Sequence, residues 1–398
     1  MKFKILSIGF ILLGTSLVAQ EKSKFSHDFE IELKAEHRYF YDEAKFDGQE
    51  NHFPSFAIQP EYSVDWNKGR ESINTSLFYR LDVDKERTHG DIREFYYLNA
   101  TSNLEWSVGL KKIYWGVTES NHLVDIINQT DQVESFDGEA KLGQPMVHLS
   151  YPTNNWGTFD LLYLPYFRKR NFPGEKARLR FETLIDEDDI QFEDGSEEWH
   201  QDFSVRWSHS VGVFDLGISH FFGTGREPLF NIDSVGEFNP LYAIVNQTGF
   251  DLQATTGAFL WKLESIIRTS EYQDMFAAVA GFEYTFGNVN KKGLDIGVIG
   301  EYSYDDRDEM ALSGMQNDLF FGSRIALNDI QNTELLIGGI FDLDHSTMIG
   351  SIEASRRIKE SYKVEIEARL LNNIAQEDSF LSNFEKDSFL RFTLSKFL

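Results

Sequence analysis

The segment Phe389-Leu390-Arg391-Phe392-Thr393-Leu394-Ser395-Lys396-Phe397-Leu398 sets Leu390, Phe392, Leu394 and Leu398 on one face and Arg391, Thr393 and Ser395 on the other. One face suits lipid, the other water. A backbone in lipid must satisfy every N–H and C=O internally, so a strand of this kind crosses a membrane only inside a closed sheet. The segment therefore predicts an all-β fold, a transmembrane antiparallel β-barrel. The same period of two recurs through the chain: Phe56, Ile58, Tyr62, Val64 and Trp66 alternate with Gln59, Glu61, Ser63 and Asp65, and Phe276, Ala278, Ala280, Phe282, Tyr284 and Phe286 repeat the apolar row.

Such runs predict eighteen strands, the first near 28–41, the fifth near 104–116 and the last near 388–398. The connections sort by parity. Those after even-numbered strands are short: 67–70, 101–103, 153–157, 210–212, 256, 287–293, 329–333 and 359–360. All the long ones follow odd-numbered strands: 42–55, 117–145, 167–200, 223–240, 305–316 and 372–387. A soluble sandwich has no reason to sort loop length this way, whereas a bacterial outer-membrane barrel has short periplasmic turns and long extracellular loops.

The N-terminus sets the compartment. Lys2 and Lys4 precede an apolar run, Ile5 to Leu12, then small residues and Ala19-Gln20. This predicts a secretory signal over 1–20, cleaved to leave 21–398 as one barrel domain. The apolar run is too short to be a membrane-spanning helix. Only a few residues separate the cleavage point from the first strand, so the expectation is a lumen without an N-terminal plug, unlike a TonB-dependent transporter. The chain has no cysteine, which excludes disulfide staples and thiol chemistry. A formal charge of −26 excludes nucleic acid as a partner. The expected partners are outer-membrane lipid, the barrel-assembly machinery and small hydrophilic solutes, and no cofactor is implied.

Several stretches are characteristic together: Trp115-Gly116-Val117-Thr118-Glu119-Ser120, Val124-Asp125-Ile126-Ile127-Asn128-Gln129-Thr130-Asp131, Leu164-Pro165-Tyr166-Phe167-Arg168, Gly223-Thr224-Gly225-Arg226-Glu227-Pro228 and Glu301-Tyr302-Ser303-Tyr304-Asp305-Asp306-Arg307. With Trp261-Lys262-Leu263-Glu264 they resemble a family of porin-like outer-membrane barrels of Bacteroidota. The resemblance implies a barrel over nearly the whole mature chain and says little about cargo.

A barrel this wide leaves an aqueous channel unless something narrows it. In general porins the third long loop folds inward, and Glu134-Ser135-Phe136-Asp137-Gly138 is similar to the acidic turn found there. On that basis Glu119, Asp125, Asp131, Glu134, Asp137 and Glu139 are candidates for the negative side of a constriction that favours cations; the alternative is a solvated surface loop. Candidates for the facing cations are Arg168, Lys169, Arg170, Arg178, Arg180, Arg206, Lys262 and Arg268. Glu264 shares a strand face with Lys262 and Arg268, so these three form either part of the pore or a salt-bridge ladder within the wall.

Asp186, Asp188 and Asp189 in the longest loop are a surface Ca²⁺ candidate by their clustered carboxylates, without EF-hand spacing. No histidine pair has metal-ligand spacing. An outer-membrane hydrolase is the rival class, and His148 and Ser150 share a strand face, yet no nucleophile motif accompanies them. The reading is a non-enzymatic channel for passive diffusion of small hydrophilic solutes with cation preference. A largely closed barrel acting as an adhesin or a partner-binding component is the alternative.

Overall fold

Pairing closes the alternating strands into a ring. The structure, a computed structural model, describes residues 25–307, 311 and 313–398; the expected leader over 1–20 lies outside them. The strands are β1 (Phe25–Phe40), β2 (His52–Trp66), β3 (Glu71–Asp82), β4 (Gly90–Ala100), β5 (Glu105–Lys111), β6 (Gln144–Pro152) and β7 (Thr158–Leu164). There follow β8 (Gln191–Phe192), β9 (Asp202–Val211), β10 (Phe214–Thr224), β11 (Leu229–Ile232), β12 (Phe238–Tyr242), β13 (Ile244–Thr256) and β14 (Phe259–Thr269). The last seven are β15 (Met275–Phe286), β16 (Asp295–Asp305), β17 (Asn317–Ala326), β18 (Glu334–Asp342), β19 (Met348–Ile358), β20 (Tyr362–Asn372) and β21 (Phe389–Phe397). Eighteen of them make one antiparallel sheet, closed where β1 pairs with β21, Ala35 opposite Leu394 and Tyr39 opposite Leu390. The C-terminal segment is thus the seam. The remaining three, β8, β11 and β12, form a small sheet among the long loops.

The wall obeys the expected facing. Phe56, Leu77, Tyr79, Phe159, Ile218, Phe276, Phe321 and Phe392 are all exposed on the outside, while their strand neighbours Arg80, Ser219 and Asp318 are buried inside the ring. Tryptophans gather near the short-turn end, where an amphipathic ring keeps its N–H wet: the Trp207 indole donates to the Trp156 carbonyl at 2.6 Å and that of Trp261 to Thr256 Oγ1 at 2.9 Å. The turn at 67–69 has left-handed backbone at Asn67, Lys68 and Gly69 (φ 52°, 63° and 77°), a geometry that tight hairpins require.

Three features depart from the sequence expectation. The fifth strand ends at Lys111 rather than 116. The Lys112 N–H donates to Glu94 Oε1 at 3.1 Å and that of Ile113 to Asn128 Oδ1 at 2.9 Å, so partners inside the barrel replace the next rungs of the ladder and the chain leaves the wall. Opposite β3, the pairing passes from Ser76–Glu94 to Leu77–Ile92 and skips Arg93; this bulge turns an arginine into the lumen, as bulges do. Finally, the loops 167–200 and 223–240 are not free of strands, because β8 pairs parallel with β12 across them, Gln191 opposite Leu241.

Candidate pore constriction

The segment between β5 and β6, residues 112–143, lies inside the barrel and reaches opposite walls. On one side, Glu134 accepts two hydrogen bonds from Arg80 of β3, at 2.7 and 2.8 Å. Asp131 lies 2.5 Å from Arg93 of β4 and takes an Asn171 amide N–H at 2.6 Å. Burial alone would raise the Asp131 carboxyl, but His89 at 3.6 Å and the Arg93 guanidinium outweigh it and bring the group down to about 2. Likewise, burial opposes ionisation of Glu134, yet Arg80 and Arg87 hold it below the usual carboxylate range.

Across the ring, the donors and acceptors are exchanged. Glu264 of β14 accepts the backbone N–H groups of Val117 (2.6 Å), Thr118 (3.0 Å) and Val124 (3.2 Å), and the Thr118 hydroxyl at 2.7 Å. Glu301 of β16 accepts the N–H groups of Glu119 and Ser120, each at 2.8 Å. Gly116 has φ 134°, and a Cβ there would stand 2.7 Å from His122 Nδ1 and 2.9 Å from Glu264 Oε1, so only glycine fits the loop against this carboxylate. Glu119 itself meets Arg324 of β17 at 2.5 Å and Lys262 of β14 at 3.7 Å. Asp125 pairs with Lys141 of the returning arm at 3.4 Å, and its carboxyl is raised by burial despite that partner.

The loop leaves space along the wall formed by β18, β19 and β20. Two cavities, about 540 and 410 Å³, share Glu119, Asp137, Glu139, Leu336, Glu353 and Arg369, and so meet there. Arg369 of β20 is the cation of this narrowing, bonded to Asp137 (2.7 Å), Glu353 (2.7 Å) and Glu367 (3.3 Å). Arg391 also meets Glu367, so two guanidiniums stand against three carboxylates, and the cluster keeps net negative charge. Three of the acidic side chains are more exposed than this cation: Glu139 is 60% exposed, Glu353 48% and Asp137 36%, against 9% for Arg369.

The other sequence candidates sit elsewhere. Arg168 meets Asp91 at 2.7 Å and Arg206 meets Asp251 at 2.7 Å, both against the wall. Arg170 donates to Gln129 Oε1 at 3.2 Å and to the Arg226 carbonyl at 2.9 Å. Arg268 shares Glu227 with Arg307, at 3.0 and 2.9 Å, in the chamber above the loop. Lys262, Glu264 and Arg268 do not form a ladder with one another, because each is used by a different partner: Glu119, the loop backbone and Glu227. Lys169 pairs with Glu198 at 2.6 Å, Arg178 with Asp387 at 2.6 Å, and Arg180 donates to the carbonyls of Glu175 and Phe181 at the mouth. The Asp186 carboxylate groups with those of Asp233 and Glu237 and accepts the Asp188 N–H at 2.9 Å, while that of Asp189 accepts from Asn239 at 2.8 Å. His148 faces the lumen, its Nε2 2.9 Å from Asp160.

Arg80, Arg93, Glu301, Arg324, Glu353 and Arg369 were not singled out by the sequence. The available signal was a charged residue on the polar face of a strand, which many others share.

Compared with solved structures, the fold is similar to a BenF-like porin from Pseudomonas fluorescens Pf-5, with TM-score 0.55 and 9% identity over 94% of this chain and 98% of that one. It is also similar to OccK11 (OpdR) of Pseudomonas aeruginosa, with TM-score 0.52 and 9% identity over 94% and 96%. At such identity the likeness establishes the barrel fold. No family model matches the chain, nor does any curated protein.

Proposed function

We propose that this chain is an outer-membrane channel through which small hydrophilic solutes diffuse passively, with preference for cations. The carrying observation is the pair of cavities between residues 119–139 and the β18–β20 wall: they meet beside an inserted loop, and the narrowing bears more exposed carboxylate than cation. A fixed negative charge in a confined, poorly screened passage attracts cations and repels anions. The exposed apolar outer face and the tryptophans near the turn end support a lipid-spanning band. A leader over 1–20 would take the chain to the barrel-assembly machinery. The short turns then face the periplasm and the long loops the outside.

The test is planar-bilayer conductance of the purified protein with the reversal potential measured in a salt gradient. Steady conductance with a reversal potential of cationic sign is expected. Absence of conductance favours the closed, partner-binding barrel. Orientation is checked separately on intact cells: protease should reach 165–201 and spare the Asn67-Lys68-Gly69 turn, and the reverse pattern would invert the topology.

A further inference from the structure

We propose that His122 sets the charge of the passage, acting as a proton-operated counter-ion to Glu139. This rests on the channel reading and adds to it a residue that controls selectivity. His122 lines the upper cavity, part-way between two carboxylates of opposite kind. Its Nδ1 is 3.7 Å from Glu264 Oε1, and its Nε2 is 3.6 Å from Glu139 Oε1. Glu264 is fully buried and already accepts four hydrogen bonds from the loop. Glu139 is more exposed than Asp137 or Glu119 and belongs to the narrowing.

A neutral imidazole carries one N–H, so it satisfies one of these neighbours and leaves the other. Buried Nδ1 has no hydrogen-bond partner in the present geometry. Protonation supplies the second N–H. The ring then donates to Glu264 on the anchored arm of the loop and to Glu139 on the returning arm, and cancels the Glu139 charge where the two cavities meet. The charged groups facing the ring are Glu264 from β14, Glu139 and Lys141 from the returning arm, and Asp125 from its own arm. Three of these four are acidic, which favours the imidazolium. Accordingly the Glu264 contact and the charges of Glu139 and Asp125 raise the His122 titration above its ordinary value of 6.5, against the opposing effect of burial. The sign follows: the added positive charge is fully present well below 6.5 and disappears as pH rises through the raised value.

Cation preference should therefore be high at pH 8 and fall on acidification toward pH 5.5. A single charge at contact distance in a water-filled passage changes local ion concentration by about twofold to fivefold, so the cation-to-anion permeability ratio should drop by about that factor. His122→Asn should abolish the fall between pH 8 and 6.5, leaving at lower pH only the protonation of Glu139, which burial raises above its ordinary value. Glu139→Gln should begin at the low value and fall further only at the lower pH where its His122 titrates. Equal pH dependence in wild type and His122→Asn would overturn the proposal.

A second measurement is independent of conductance. In labelled protein in detergent, the His122 ring resonance, assigned by its loss in His122→Asn, should titrate above 6.5 and move down in Glu139→Gln. An ordinary titration unaffected by Glu139→Gln also overturns the proposal. A raised, Glu139-dependent titration in a protein that passes no current would instead refute the channel reading and leave the pair intact.

Discussion

The two longest loops use charge in opposite senses. Residues 112–143 enter the barrel carrying carboxylates, and the wall answers with cations: Arg324 for Glu119, Arg93 for Asp131, Arg80 for Glu134 and Arg369 for Asp137. Residues 165–201 lie at the mouth and turn their arginines inward instead, Arg168 onto Asp91 and Arg178 onto Asp387. Their acids stay outside: Asp188 and Asp189 are exposed. The difference teaches that an acidic stretch has no fixed meaning in such a chain. What decides its role is whether the wall beneath it offers arginine, and those arginines come from strands remote in sequence.

The strongest way to break this comparison is to remove a wall arginine. Arg93→Leu leaves the fully buried Asp131 carboxylate with His89 as its one remaining ion-pair partner among the described residues. Stranding a buried charge costs about 3–5 kcal/mol, read as a lowered urea midpoint by tryptophan fluorescence. Asp188→Asn should stay within about 0.5 kcal/mol, as exposed substitutions do. Equal effects of the two changes would mean that the inner loop is no more firmly held than the outer one.

The same dependence on facing holds for the wall. Phe392 is exposed on the outside, between His37 and Ile366 in neighbouring strands. Phe392→Asp puts a carboxylate toward lipid and should cost on the order of 2 kcal/mol near mid-bilayer, seen as loss of the heat-resistant folded form on gels. Normal assembly would show that this strand does not meet lipid.

A finer test separates anchoring carboxylates from those that solutes meet. Glu353→Gln with Asp137→Asn should lower cation preference, more at low salt than at high, because screening shortens the reach of exposed charges. Asp125→Asn should change selectivity less, since that side chain is only 4% exposed and faces Lys141. If the Asp125 change had the larger effect, the conducting path would lie on the other side of the loop.

The strands were legible because lipid and water impose a period of two along nearly the whole wall, and the seam at Phe389–Phe397 carries it plainly. The inward position of residues 112–143 was legible as a loop between the right strands. Its attachments were not. Arg80, Arg93 and Arg369 look like any inward-facing charge until the ring brings β3, β4 and β20 around the loop. The end of β5 was overrun because Trp115 and its neighbours alternate well enough for a strand, and only Glu94 and Asn128, from β4 and the loop itself, draw the chain inward. The pairing of β8 with β12 was invisible for a related reason: two residues have no period, and their partner is in another loop.

The smallest expected effect concerns the residue that breaks the alternation of the seam. Lys396 follows Phe392 and Leu394 on the outward face, opposite Leu33 on one side and Tyr362 on the other, so its facing alone assigns it to lipid. Its depth corrects that. It lies at the turn end of β21, with its Nζ 5.6 Å from the centre of the Tyr362 ring, where a flexible stem lets an amine reach the interface while its methylenes cover apolar wall. Lys396→Leu keeps the covering surface and gives up only an exposed ammonium and a weak ring contact, worth about 0.5–1 kcal/mol at such sites. Folding yield and heat resistance should therefore match wild type, in contrast to Phe392→Asp on the same face. A gain of about 2 kcal/mol would place Lys396 deeper than the interface and require the turn end of the barrel to sit further into the membrane.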